Sequence, residues 1–471
     1  MRIKKYAAAF LAATTVLGSM AACGEKADGP AATPTPSTNE ENPGVEPDPA
    51  DPTATPEPAR DLGGMEIIIG DHWSPEEPNP PASAQEEATL AYRNEIMAKY
   101  NFTMKQVAVA GWGEMTDTCT NSILAGDPAA EVFVLDSSFV SKPMGNGLFY
   151  DLATLEEFDF TEDKWNKEAV ELMTKGDSIY GMASGRSEAR LGLFWNKRLF
   201  EEAGLDPDLP YDLQASGEWT WSKFKEICAQ LTRDTNADGV MDTYAMGNFG
   251  PDICKALINS TGTELITMEN GQFVNNSGSQ NVLDALNFAK ELGDAGYEMP
   301  QPADSQWDWY KAAFSDGWFA MQFNETYMAS QTWADMEDDF GFVCAPKPDG
   351  SDTYHTIFNE NIVIIPSCFD AATASNIAFA YNLWTNPTPG YEEEGDWKDT
   401  YYTRFRDERA VDETLETFYT EGVGNFEHLT LVYGVSYGDI CYSYPFASQT
   451  PAEKVEEIKN TWDSAIAEAN K

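Results

Sequence analysis

From Met65 onward, short apolar runs alternate with stretches whose apolar positions recur every three or four residues. Met65 to Ile69 is a β run that ends in the polar and aromatic loop Gly70-Asp71-His72-Trp73. Ala84 to Tyr100 spaces Ala88, Tyr92 and Ile96 as a helix would, and Phe102 to Val109 reads as the next strand. Trp112 to Leu124 reads as a helix, and Glu131 to Leu135 as a buried strand with Asp136, Ser137 and Ser138 at its exit. Runs of four to eight apolar residues bounded by turn signals suit buried strands, whereas the longer periodic stretches suit helices. Their strand, helix, strand order predicts a parallel sheet flanked by helices. In such sheets ligands sit beyond the carboxyl ends of the strands, so that Trp73 and Trp112 suit a pocket as well as a place in the core.

The stretch Ile179 to Phe200 joins this part to a second α/β run. Tyr180 to Ser184 has the look of a strand end, and Leu191 to Trp195 of a strand that enters a sheet before a helix at Lys197 to Ala203. Between them lie Arg186, Ser187, Glu188 and Arg190. Charged residues between buried strands must find partners or face a cleft, because an unpaired buried charge is costly. Further on, Thr220 is placed to cap a helix running to about Arg233, and helices are predicted at Val282 to Gly293, Trp307 to Phe314 and Ala371 to Trp384. Asp339 to Pro346 and Asn359 to Ile365 read as strands. Thr450, Pro451 and Glu453 form a capping box for a last helix with Val455, Ile458, Trp462 and Ile466 on one face.

At 471 residues the chain is too long for one ordinary core, so two domains or lobes are expected. Its 78 acidic against 30 basic residues give a net charge of -48, which removes the basic stripe a nucleic-acid groove needs. A solvated acidic surface or an affinity for cations accounts for the charge. Met1 to Cys23 has a basic start, an uncharged run too short to span a bilayer, and Met20-Ala21-Ala22-Cys23. It resembles a bacterial lipoprotein signal, 1–22, with Cys23 as the acylated first residue of the mature chain, which implies a lipid anchor on the outer face of the cytoplasmic membrane. Residues 23–61 then hold nine prolines and no apolar periodicity, as a tether does. The six remaining cysteines form no CxxC, so a zinc site has no support and mostly buried free thiols are expected.

Asp234, Asn236, Asp238 and Asp242 place oxygen side chains at relative positions 1, 3, 5 and 9 of a calcium-type loop. Gly239 stands at the turn and Val240 at the backbone-carbonyl position, while position 12 is Ala245 instead of Glu. A structural calcium ion and a metal-free Asx turn both fit. Gly434-Val435-Ser436-Tyr437-Gly438 matches a nucleophile elbow, but Asp439 to Pro445 reads as extended and no histidine follows Ser436. Catalysis there is not expected.

The order of GDPAAEVFVLDSS, GLFYDLATL, LFWNKRLFEEAGLDP, WTWSKF with DTNADGVMD, FSDGWFAMQFNETY, and FGFVCAPKPDG with NENIVII resembles the family 1, maltose-binding-protein-like solute-binding proteins of ABC importers, over about residues 65–471. The resemblance implies an α/β, two-lobed periplasmic-binding-protein-like fold with an interlobe ligand cleft. It implies an N-terminal lobe of residues 62–185 and 347–400 and a C-terminal lobe of residues 186–346 and 401–471. A monomer that takes a carbohydrate, often an oligosaccharide, and delivers it to ABC importer permease subunits is the implied function, with no catalysis. Tyr327 then falls at a stacking-aromatic position in the loop with Asn324 and Glu325. Asp136, Ser137, Glu188 and Asp252 fall at polar contact positions, beside Arg186. Asn359 and Asn361 stand where many relatives have Gly-Gly. A secreted carbohydrate-active enzyme would share the aromatics and acids, and a surface adhesin or peptide-binding lipoprotein the anchor, and both remain open.

Overall fold

The computed structural model describes residues 60–471 apart from 82, 189, 248–249, 392–396, 421 and 447. The signal stretch, Cys23 and the tether up to residue 59 lie outside the described residues. Arg60, inside the expected tether of residues 23–61, is already packed. The Arg60 guanidinium donates to Glu157 at 2.8 Å, to Ser375 at 2.6 Å and to Asn376 at 2.9 Å.

In chain order the first sheet receives β1 (Met65–Asp71), helix α1 (Ala84–Tyr100), β2 (Phe102–Ala108), helix α2 (Met115–Leu124) and β3 (Val132–Asp136). The second receives β4 (Leu191–Asn196), α3 (Trp221–Leu231), β5 (Tyr244–Met246), α4 (Gly250–Asn259), α5 (Gln280–Asp294), β6 (Phe319–Glu325) and β7 (Phe340–Val343). Then come β8 (Thr356–Phe358), β9 (Asn361–Ile364), α6 (Ala371–Trp384), β10 (Gly424–Phe426), α7 (Tyr437–Cys441) and α8 (Pro451–Ala469). Local chemistry sets several boundaries. Thr220 accepts the Lys223 N–H at the start of α3, and the capping box of Thr450 and Glu453 opens α8.

The first sheet has the order β9-β3-β1-β2, and the second β7-β4-β6-β5. β1 runs parallel to β2 and β3, as the strand, helix, strand order requires. β9 arrives from the other lobe and pairs antiparallel with β3. In the second sheet β4 pairs antiparallel with both β6 and β7, and only β5 with β6 is parallel. The expected parallel sheet is therefore corrected to two mixed sheets, because strands that re-enter a sheet from a distant segment need not keep its direction. Tyr180 to Ser184 is likewise no strand, and makes only single bridges, Met182 with Val363 and Ser184 with Trp165.

Alternation along β3 sends Val132 and Val134 to one face of the first sheet and Phe133 and Leu135 to the other, and β9 repeats this with Val363 against Ile362 and Ile364. The first lobe thus has a core on each side of its sheet. The second lobe has one large core, in which Trp195, Trp219, Trp333 and Trp462 are fully buried. Its strands approach closely: a Cβ on Gly192 would lie 2.4 Å from the Phe342 ring, and one on Gly341 2.1 Å from the Trp195 ring. Both aromatic rings lie against bare backbone.

The chain leaves the first core after Ala183 and joins the second at Leu191. Tyr354 and Ile357 still pack in the second core, so the return to the first lobe comes at Asn359–Glu360, later than the expected boundary at 347. Their apolar side chains are what hold this segment back. α6 belongs to the first core, whereas Trp397 packs on the second, a few residues before the expected boundary at 401.

Candidate functional site

At the end of β1, the fully buried Asp71 carboxylate accepts the backbone N–H groups of Trp73 at 3.0 Å and Ser74 at 2.8 Å, and the Gln106 side-chain amide at 2.7 Å. This holds the loop that carries His72 and Trp73. The His72 ring lies edge-on to Trp73 at 4.6 Å and to Trp112 at 4.9 Å, and Trp112 meets Phe139 at 4.6 Å. Burial depresses the His72 imidazole, against the pull of Asp136 and Asp71, so the ring is neutral near pH 7. Trp73 and Trp112 nevertheless stay 48% and 56% exposed. Large apolar faces left open beside a cavity are contact surfaces in waiting.

At the end of β3, the Asp136 carboxylate accepts the Ser138 backbone N–H at 2.9 Å and the Asn359 amide at 3.3 Å, and the Ser137 hydroxyl donates to Asn359 Oδ1 at 2.6 Å. Asn361 pairs in register with Asp136 across β9 and β3, so both asparagines reach the same rim.

β6 delivers the second lobe's contribution. Asn324 is buried, its Oδ1 accepts the Glu325 N–H at 2.8 Å, and its Nδ2 has no partner in the protein. Tyr327 follows in a single 3₁₀ turn, half-buried, with its phenol pushed up to about 12 by burial and by Glu325. Asp252 opens α4; burial lifts its pKa to about 7, Glu325 adding to the rise while Lys255 and Lys311 oppose it. Lys255, one turn further, lies 3.4 Å from Glu427, which also accepts the Tyr437 hydroxyl and the Asn259 amide, the latter at 3.3 Å. Burial pulls Lys255 down, yet Glu427, Glu325, Asp252 and Asp136 together hold it above its ordinary value.

Between the lobes, Arg190 lies 3.4 Å from Glu188 and 3.7 Å from Glu325, and Glu188 accepts from Arg404 at 3.0 Å. Glu360 sits by the same arginine. Its Oε2 is buried without a hydrogen-bond partner, and burial lifts its pKa to about 7 although Arg190 opposes the rise.

These groups surround one cavity of about 1270 Å³ with walls from both lobes. It brings together Trp73, Trp112, Asp136, Ser137, Glu188, Asp252, Asn324, Glu325, Tyr327, Asn359 and Asn361. Arg186 is the exception: its guanidinium lies over the rings of Trp397 at 5.4 Å and Tyr419 at 4.9 Å, away from the lining. A cation finds its partner there in two π faces, without needing the cleft. The sequence reading placed His72 and Arg190 in candidate segments without assigning them to the site, and missed Lys255, Trp307, Arg404, Glu427, Tyr437 and Tyr442 on these walls. Lys255 was within reach, one helical turn from Asp252, and Trp307 and Tyr442 carry the signal of large aromatics that stay 64% and 72% exposed.

The Asp234 to Asp242 loop closes on itself. Asp234 accepts the Gly239 N–H at 2.7 Å, and Asp242 accepts the Thr235 N–H at 2.7 Å and the Asn236 amide at 3.1 Å. Among the described residues no three His, Cys, Asp or Glu side chains gather as a metal cluster. In the G-x-S-x-G stretch, a helix does follow, contrary to the extended reading: α7 starts at Tyr437 and Asp439 accepts the Ser436 N–H at 2.8 Å. Ser436 there serves as a helix cap, and the last histidine of the chain is His428, before it in sequence.

The sequence profile of bacterial extracellular solute-binding proteins matches residues 91–394. The chain belongs to that family. No curated protein matches this solute-binding protein in sequence. It is similar in structure to the ABC substrate-binding protein of Listeria monocytogenes in complex with cycloalternan, with 15% identity, TM-score 0.59, and 86% of this chain and 99% of that one covered. It is also similar to the galacto-N-biose/lacto-N-biose I-binding protein of an ABC transporter from Bifidobacterium longum, with 12% identity, TM-score 0.61 and coverage of 87% and 98%. UgpB from Mycobacterium tuberculosis, in complex with glycerophosphocholine, gives 15% identity, TM-score 0.62 and coverage of 86% and 99%. At such identities the likeness shows the shared two-lobed fold.

Glu360 yields a pH prediction for the solute-binding protein. Its raised folded pKa means that its contribution to stability is fully present below the ordinary carboxylate range and is lost as pH rises through about 7. Glu360→Gln, neutral throughout, should therefore melt higher than the parent at about pH 8, with the difference shrinking toward about pH 5. Melting curves across that range check it; a difference constant with pH would contradict the buried, unpaired carboxylate.

Proposed function

We propose that the protein captures a carbohydrate, an oligosaccharide of several rings, in the interlobe cavity and passes it to the permease subunits of an ABC importer. The observation that carries this is the combination on the cavity walls of open aromatic faces, Trp73, Trp112, Trp307 and Tyr442, with carboxylates and amides from both lobes. A sugar ring offers an apolar C–H face to an aromatic plane and hydroxyls to ionised carboxylates, which only accept. Contacts made to both lobes at once favour the closed form by their differential affinity. The similar structures bound to cycloalternan and lacto-N-biose support the same ligand class. The phosphodiester ligand of the UgpB structure fits less well here, since Lys255 and Arg190 already face Glu427, Glu188 and Glu325.

A thermal-shift screen against mono- and oligosaccharides and peptides tests the class, because a ligand that binds the folded form raises apparent stability by mass action. An oligosaccharide should raise the melting temperature and be recovered intact. A peptide hit would favour the adhesin or peptide-binding reading, and cleavage of the sugar the enzyme reading. Tyr327→Ala should weaken binding of that sugar by about tenfold or more in calorimetry while circular dichroism stays unchanged; undiminished affinity would move the stacking role to Trp73 or Trp112.

The lipid anchor belongs to the same reading. Cys23→Ala should leave the protein in the soluble fraction, whereas an unaltered, lipid-labelled N-terminus in the membrane fraction would reject it. A structural calcium ion on the Asp234 to Asp242 loop is a separate part: binding would require Asp242 to turn from Thr235 and Asn236 toward Asp234 and Asp238. Calcium should then raise the melting temperature, and Asp238→Ala should abolish the rise. A melting curve indifferent to both leaves a metal-free turn.

A further inference from the structure

We propose that Cys254 and Cys441 form a disulfide that joins α4 to α7, two helices on the second lobe's side of the cavity. Both cysteines are fully buried and stand as free thiols in this structure, and they share a hydrogen bond. The helices also approach closely at their backbones: a Cβ on Gly250, at the start of α4, would lie 3.4 Å from the Cys441 carbonyl oxygen. A polar contact joins the same helices, since Asn259 at the end of α4 donates to the Tyr437 hydroxyl at 3.2 Å. α4 brings Asp252 and Lys255 to the cavity, and α7 brings Tyr437 and Gly438. A covalent bond at this depth fixes the spacing of those four residues without occupying the cavity.

Formation requires a disulfide-carrying oxidant, of the kind available to a chain folding outside the cytoplasm. One cysteine thiolate attacks a sulfur of the oxidant's disulfide, giving a mixed disulfide and releasing one oxidant thiol. The other thiolate then attacks the cysteine sulfur, closing the Cys254–Cys441 bond and expelling the second oxidant sulfur. Two electrons and two protons pass to the oxidant, which leaves as a pair of thiols. Burial pushes the Cys254 thiol well above its ordinary pKa, so exchange belongs to the folding chain, before the helices shield it. The bond would remove conformational freedom from the unfolded chain between α4 and α7.

Tryptic mapping decides the matter, because peptides 234–255 and 410–454 each contain a single cysteine, Cys254 and Cys441. The full chain, exported by a bacterial host, is quenched in acid, denatured, alkylated and digested without reduction. The expected product is the two peptides linked, at a mass two hydrogens below their sum, and separated by prior reduction. Both peptides recovered as alkylated free thiols, or either one linked to another cysteine, would overturn the proposal. As a second readout, a reductant should lower the melting temperature of the parent by about 5 °C and leave the Cys254→Ala, Cys441→Ala double variant where it is. An equal effect on both proteins would also overturn the assignment.

Discussion

One guanidinium holds the centre of the molecule. Arg190, its side chain only 14% exposed, faces Glu188 on its own segment and Glu325 at the end of β6, with Asp136 of the first lobe and Glu360 of the return segment also in its field. Burial alone would penalise the charge, and the surrounding carboxylates reverse the balance. The carboxylates depend on the arginine in turn, because without it four acids would crowd a partly buried space. Both segments that cross between the lobes here, Arg190 and Glu360, thus meet at a common charge.

The cavity is built outward from that point. Asp136 and Ser137 are fixed by the return segment through Asn359, and Glu325 is fixed beside Arg190, so the rims of the two lobes are positioned by the same residues that join them. The aromatic side is set differently, by the buried Asp71 carboxylate that shapes the Trp73 loop. Polar groups with spare capacity remain on this frame, among them the Asn324 amide nitrogen. A ligand entering here meets donors and acceptors already in place, which lowers the ordering cost of binding.

Much of the fold is legible in the sequence because apolar runs, periodic spacing and capping residues are local signals. α1 and α6 begin and end where their spacing says, and Thr220 and Thr450 cap the helices they precede. Strand direction is not local, which is why the antiparallel pairing of β4 with β6 and β7 was out of reach. The same division runs through the site. Asp136 follows from standing at a strand's exit, and Asn324 and Glu325 from the resemblance, whereas Glu427 and Tyr437 come to Lys255 only by tertiary folding, from about 170 to 180 residues away. Arg186 shows the converse: a charge in a crossover says that a partner is needed, not that the partner is a ligand.

The contacts of Arg60 assign the two lobes unequal mechanical duties. Its guanidinium is bound to Glu157, Ser375 and Asn376, and Leu62 just beyond it is buried in the first lobe's core. A pull at Arg60 is therefore taken up by the first lobe, through these hydrogen bonds and the buried Leu62 side chain. The second lobe is tied to the first through the crossing segments and through Phe426 and Leu431, which pack against the first lobe's core. The first lobe is thus the one held at Arg60, and the second is held by the first.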